Sequence, residues 1–146
     1  MRFMMLMIPS VYQGANGKNA GADFTPPADA VEKMMKYNEK LAKAGALISL
    51  DGLHSPATAA RVSFSGGKSR VTDGPFAESK EVLGGYWIIQ AKSREEAIQW
   101  AEAVPAADGD TIEVRQLFEM SEFPEDVQKA ADNAIVQEQV KKHKDS

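Results

Sequence analysis

Asp73 is the side chain best placed to do chemistry. It opens Asp73-Gly74-Pro75-Phe76, a rigid turn signal, which leads through Glu78, Lys80 and Glu81 into the strand-like run Tyr86-Trp87-Ile88-Ile89. A polar loop feeding a central strand is a common way to place functional groups at a sheet end. A carboxylate held there acts as a general base when a titratable partner lies within hydrogen-bond reach. Tyr37 and His54 are the candidate proton partners for Asp73. The competing role is structural, because an Asp at the start of a turn accepts hydrogen bonds from downstream amides.

Two arginines point to a different use. Arg61 and Arg115 sit on strand-like segments flanked by apolar residues. A guanidinium there needs a carboxylate. Glu113 shares a face with Arg115, so the pair is either a structural bridge or a fork offered to an anion. A pocket lined by Tyr37, Arg61, Asp73, Tyr86 and Arg115, with Glu78 at its mouth, would hold a small polar or anionic molecule without a paired acid and base. Three functions follow. The favoured one is a small-molecule-binding or regulatory module acting as a homodimer. The second is a cofactor-independent enzyme that uses Asp73 with Tyr37 or His54 as acid and base. The third is a structural partner protein, which would use the last helix. No bound cofactor is expected under any of them.

Composition narrows the classes. The chain has 146 residues and no cysteine, which removes disulfides, thiolate catalysis and thiolate metal sites. His54 and His143 are its two histidines, too few for a histidine-rich metal site. A formal charge of −4 gives no basic footprint for nucleic acid. Residues 1–8 carry one Arg and a short apolar run, a poor match to a secretion signal, and no run approaches the ~20 apolar residues of a membrane span. A cytoplasmic protein is therefore expected.

The elements that must position the candidates read in order. Residues 2–8 are apolar on both alternating faces, as in a strand covered on both sides. Residues 10–23 read as a mobile surface loop. Thr25 and Pro26 open a helix over 26–44, with Val31, Met34, Met35, Leu41 and Ala42 as its stripe and Tyr37 at the edge. Strand 46–50 follows, then a hairpin of 61–65 and 68–72 about Gly66-Gly67. Strand 86–91 leads to Ser93-Arg94-Glu95-Glu96, a capping box. The helix after it would bury Ala97, Trp100, Ala101 and Val104. Residues 111–118 alternate as a strand, and a last helix spans 124–142. The domain is expected over residues 1–120, with 121–146 as a helical extension. Strand, helix, strand, hairpin, strand, helix, strand predicts an α+β fold with both main helices on one face of an antiparallel sheet. The other face keeps apolar residues, which predicts a dimer pairing sheet against sheet.

The run Val71-Thr72-Asp73-Gly74-Pro75-Phe76-Ala77-Glu78-Ser79-Lys80-Glu81, with Leu83-Gly84-Gly85-Tyr86, resembles the DGPF branch of the YCII-related family. Residues 97–105 (AIQWAEAVP), Glu113-Val114-Arg115 and Ala59-Ala60-Arg61-Val62 resemble its other blocks. The resemblance implies a ferredoxin-like dimeric α/β barrel. It also implies a family of largely unsettled biochemistry, sometimes encoded beside extracytoplasmic-function sigma factors. YCII proteins proper carry a helix-one histidine proposed to pair with an aspartate. Tyr37 falls at that position here, which puts His–Asp chemistry in doubt. Gln116 departs from the proline usual after the arginine in this branch.

Overall fold

The computed structural model describes residues 1–76 and 81–146, with the backbone alone for residues 17–19. Among the described residues, six strands and four α-helices form an α+β fold. The strands are β1 (Arg2–Ile8), β2 (Leu47–Gly52), β3 (Ala60–Ser65), β4 (Lys68–Asp73), β5 (Gly85–Gln90) and β6 (Thr111–Gln116). The helices are α1 (Ala28–Lys43), α2 (Arg94–Glu102), α3 (Glu125–Ala131) and α4 (Ala134–Lys144). Four strands pair in the order β2-β5-β1-β6, antiparallel at every junction, while β3 and β4 form a separate hairpin.

Alternation along the strands gives the sheet two unlike faces. Phe3, Met5, Trp87 and Ile89 are buried on the inner face and pack with Tyr37 and Leu41 of α1 and with Ala97 of α2. Val104, just past α2, completes this core, and Met7, Leu47, Leu50, Ile112 and Val114 pack at its edge. Both main helices therefore lie on one side of the sheet. The outer face carries Met4, Leu6, Ile8, Tyr86 and Ile88, all half-buried. Strand β1 is thus covered on one side by this chain's own helices, and its second apolar face is half-buried.

Local chemistry explains the helix ends. Ser93 Oγ accepts from Glu96 N, while the Glu96 carboxylate accepts from Lys92 N, one residue before the cap. The expected core face of α2 holds. Helix α1 differs from expectation at its start and in its rotation. Pro27 occupies the N-cap without a side-chain bond, so Thr25 does not cap it. The buried face is Tyr37, Asn38 and Leu41 with Met34 beside it, whereas Val31, Met35 and Ala42 are exposed. The aromatic contacts of Tyr37 with Trp87 and Trp100, at ring-centroid distances of 6.0 and 6.5 Å, turn the helix towards its larger side chains.

Residues 10–23 are not a loose loop. Two 3-10 turns fold Tyr12 and Ala20 into a small second core with Val82. Gln13 holds this core: its amide nitrogen donates to the carbonyls of Pro9 and Val82, and its amide oxygen accepts from Val82 N. Ser55 Oγ donates to the Ala20 carbonyl. The Gly-rich composition concealed these bonds.

The last helix is two helices. Asp132 leaves helical geometry, and the Asn133 side chain accepts from Ile135 N and Val136 N, starting α4 anew. No residue of α3 or α4 is buried. Among the described residues, no helix is long and apolar enough to cross a membrane.

Candidate functional site

A cleft of about 450 Å³, part of it open to solvent, lies between α1 and one end of the sheet. Met34 and Asn38 of α1 form one wall, and Met7, Leu50 and Trp87 form the other. Its floor is backbone at Gly52, Gly84 and Gly85. A Cβ on Gly84 would meet Pro9 Cγ at 2.6 Å, and one on Gly85 would meet Asp51 O at 2.9 Å. Glycine at both positions lets the strand ends close on one another and leaves the cleft floored by main chain.

Asn38 is the buried polar group of this site. Its side-chain oxygen accepts from the Trp87 indole nitrogen at 2.8 Å, which fixes the amide's orientation. Its nitrogen carries two hydrogens, and among the described residues it approaches only Met35 Sδ, at 3.6 Å. A donor therefore remains for a ligand acceptor. On the sheet's outer face at the same end, the Tyr86 hydroxyl donates to Asp51 Oδ2 at 3.0 Å, across a directly paired position. That bond, and the negative charge beside it, push the Tyr86 phenol up from its usual range.

The sequence candidates fall in separate places. Tyr86 lines the cleft through its position at the strand start. Tyr37 is a core residue: its hydroxyl donates to the Trp100 carbonyl at 2.6 Å, and burial pushes its pKa up. It is unsuited to exchange a proton with solvent. His54 is exposed in the loop after β2, and Asp73 is exposed at the end of β4. Among the described residues, no hydrogen bond joins Asp73, Tyr37 and His54, so no acid–base pair is assembled from them. Arg61 lies on β3 with its guanidinium carbon 3.9 Å from the Phe76 ring centroid. Arg115 lies on the outer face, 3.8 Å from Glu113, with both side chains at least half exposed. Such a pair contributes little to stability. Glu78 lies outside the described residues.

The turn at Asp73 is held by the residues that follow it. Among the described residues, no hydrogen bond involves the Asp73 side chain. The Gly74 N–H instead donates to the Ala59 carbonyl at 2.7 Å. A Cβ on Gly74 would sit 1.8 Å from the Pro56 carbonyl oxygen, a position only glycine can occupy without displacement. The Gly74–Pro75 peptide is cis. This motif clamps the base of the β3–β4 hairpin to the body.

Sequence reasoning passed over Asn38 and Asp51. Asn38 carried a usable signal: a polar amide inside an apolar helical stripe must find a partner when buried. Asp51 looked like a turn residue, and only the strand register shows it opposite Tyr86.

These features define a small α+β domain with two helices on one sheet face and a glycine-floored cleft. A family model for the YCII-related domain matches residues 1–121, and the chain belongs to that family. It is 37% identical over 89 residues to an uncharacterized protein, R00369, of Rhizobium meliloti (strain 1021), covering 58% of this chain and 72% of that protein.

Proposed function

We propose that this chain is a cytoplasmic small-molecule-binding or regulatory module that acts as a homodimer, with its ligand in the cleft between α1 and the glycine end of the sheet. The observation that carries this reading is Asn38, a buried amide oriented by Trp87 in an otherwise apolar cleft. Few, precisely held polar groups among apolar walls are the usual anatomy of a ligand site. A polar molecule that offers an acceptor to the Asn38 amide nitrogen suits it. Arg61 and Arg115 do not line the cleft, and the Asp51 carboxylate is bonded to Tyr86 on the sheet's outer face.

The homodimer is supported by the apolar, only half-buried outer face of Met4, Leu6, Ile8, Tyr86 and Ile88. The strand order, with a helix after β1 and another after β5, supports reading the fold as ferredoxin-like, and two such sheets facing each other would make a dimeric α/β barrel. Asp73-Gly74-Pro75-Phe76 supports placement in the DGPF branch.

The test is a thermal-shift and NMR screen of small neutral, cationic and anionic metabolites against wild type and Met34→Trp, which fills the cleft. Binding that perturbs Asn38 and disappears in a folded Met34→Trp variant is the expected result. Binding that survives the filled cleft would place the ligand elsewhere and overturn the assignment. Light scattering on the same samples should give about twice the 15.9 kDa chain mass.

A further inference from the structure

The inner face of the sheet ends on a rung that lacks side chains on two of its strands. The register sets Gly52 of β2 opposite Gly85 of β5, Gly85 opposite Met7 of β1, and Met7 opposite Ile112 of β6. The inner-face rung before it carries Leu50, Trp87, Met5 and Val114, so side chains wall this notch on the core side. The two glycines are there for different reasons. A Cβ on Gly85 would meet Asp51 O at 2.9 Å, so the neighbouring strand requires that glycine. A Cβ on Gly52 would meet nothing within 4 Å, and its φ is not positive. Alternation puts the absent Gly52 side chain on the inner face with Leu50, whereas Asp51 between them points outward to Tyr86. A glycine inside a strand weakens it, and neither backbone geometry nor packing calls for one at Gly52. What it leaves is room in the cleft.

The surfaces of the notch decide what fits it. Two facing glycines present a bare strip of main chain, which a flat group approaches closely and a puckered one does not. The thioethers of Met7 and Met34 and the side chain of Trp87 belong to residues that line the same cleft. Sulfur and indole both contact aromatic rings favourably. The Trp87 indole nitrogen can only donate, so the Asn38 atom facing it is the amide oxygen. The Asn38 nitrogen keeps a hydrogen for an acceptor on the ligand.

We propose that the cleft takes an aromatic or heteroaromatic ring bearing a carbonyl group, and that Gly52 sets this specificity. The ring lies on the main chain of Gly52 and Gly85, and its carbonyl accepts from the Asn38 amide. The proposal rests on the reading of the cleft above and adds the class of ligand and the residue that selects it.

The test titrates the full chain with benzamide, cyclohexanecarboxamide and toluene, followed by NMR. Benzamide should shift the signals of Asn38 and Gly52. Cyclohexanecarboxamide keeps the acceptor on a puckered ring, and toluene keeps the flat ring without an acceptor. Each should bind about tenfold more weakly than benzamide or worse. Gly52→Val should weaken benzamide by about tenfold or more, because its side chain fills the notch. The variant should melt at or above the wild-type temperature, since the added Cβ meets no neighbour and valine suits a strand. Benzamide that ignores Gly52→Val, or either comparison probe binding as well as benzamide, would overturn the ring assignment. If a folded Met34→Trp chain still loses that binding, the cleft reading stands. Benzamide that binds both variants unchanged would overturn the two together. Wild type that fails to bind benzamide at millimolar concentration would overturn the ring class alone, because the cleft reading is decided by its own broader screen. A Gly52→Val chain that melts well below wild type would show that the fold itself requires the glycine, and would overturn its role in specificity.

Discussion

Trp87 on β5 donates its indole N–H to the side-chain oxygen of Asn38 on α1 across 2.8 Å in the protein interior. This bond ties the first helix to the central strand at the wall of the cleft. It therefore sets stability and cleft shape together.

Asn38→Leu should lower stability by about 1–3 kcal/mol, because it strands a buried indole donor. Trp87→Phe should cost stability of its own through lost volume. The double variant should be less destabilised than the sum of the singles, with a coupling of about 1 kcal/mol. Urea unfolding of the three variants measures this. Strict additivity would mean that the bond contributes nothing beyond packing.

Gly74 and Asp73 should behave oppositely. Gly74→Ala drives a methyl group into the Pro56 carbonyl, which is backbone and cannot rotate away. A loss of about 2–3 kcal/mol is expected, at the upper end for overpacking. Asp73→Asn should change stability by less than about 0.5 kcal/mol, as for an exposed surface site. Denaturant midpoints compare them directly. A larger loss for Asp73→Asn than for Gly74→Ala would reverse the assignment of the motif's structural role to its glycine.

Much of this was legible beforehand, and the reasons are physical. The strand–helix order, the Gly66-Gly67 turn and the core face of α2 follow from periodicity and turn chemistry, which are local. The rotation of α1 was not legible, because it depends on how Tyr37 meets two tryptophans distant in sequence. The small core around Tyr12 was hidden by a Gly-rich composition whose order comes from Gln13 bridging to Val82. The separation of Arg61, Asp73 and Arg115 from the cleft could not be read from spacing, since it depends on which strand ends converge. The break at Asn133 did have a local signal, because Asn is a strong N-cap, but the continuous alanine pattern outweighed it.

The Arg2–Glu119 bridge predicts a pH dependence. Arg2 Nε donates to Glu119 Oε1 at 2.9 Å and joins the start of β1 to the segment after β6. The hydrogen bond from Arg2 holds the Glu119 carboxyl below its usual range. A depressed carboxylate adds stability above its unfolded pKa, and that stability is lost as pH falls through the folded value. The stability gap between wild type and Glu119→Gln should therefore be full at neutral pH and close below about pH 4, given an ordinary Glu value near 4.3. Thermal melts across this range decide it. A gap of equal size at pH 7 and pH 3 would show that the bridge's charge is irrelevant.

Removal of residues 124–146 should leave the domain folded. The YCII-related match ends at residue 121, and neither α3 nor α4 buries a residue. Their ties to the body are slight: Gln128 Nε2 donates to the Phe123 carbonyl, and that partner lies on the retained side of the cut. The apolar residues of α4, Ile135, Val136 and Val140, are all exposed, so their loss uncovers no core. The inner-face core and the small core around Tyr12 both end before the cut. Stability should fall by no more than about 1 kcal/mol, the scale for changes at exposed sites. Differential scanning calorimetry of the truncated chain should show one cooperative transition near that of the full chain. A broad, non-cooperative melt would mean that the extension completes the fold.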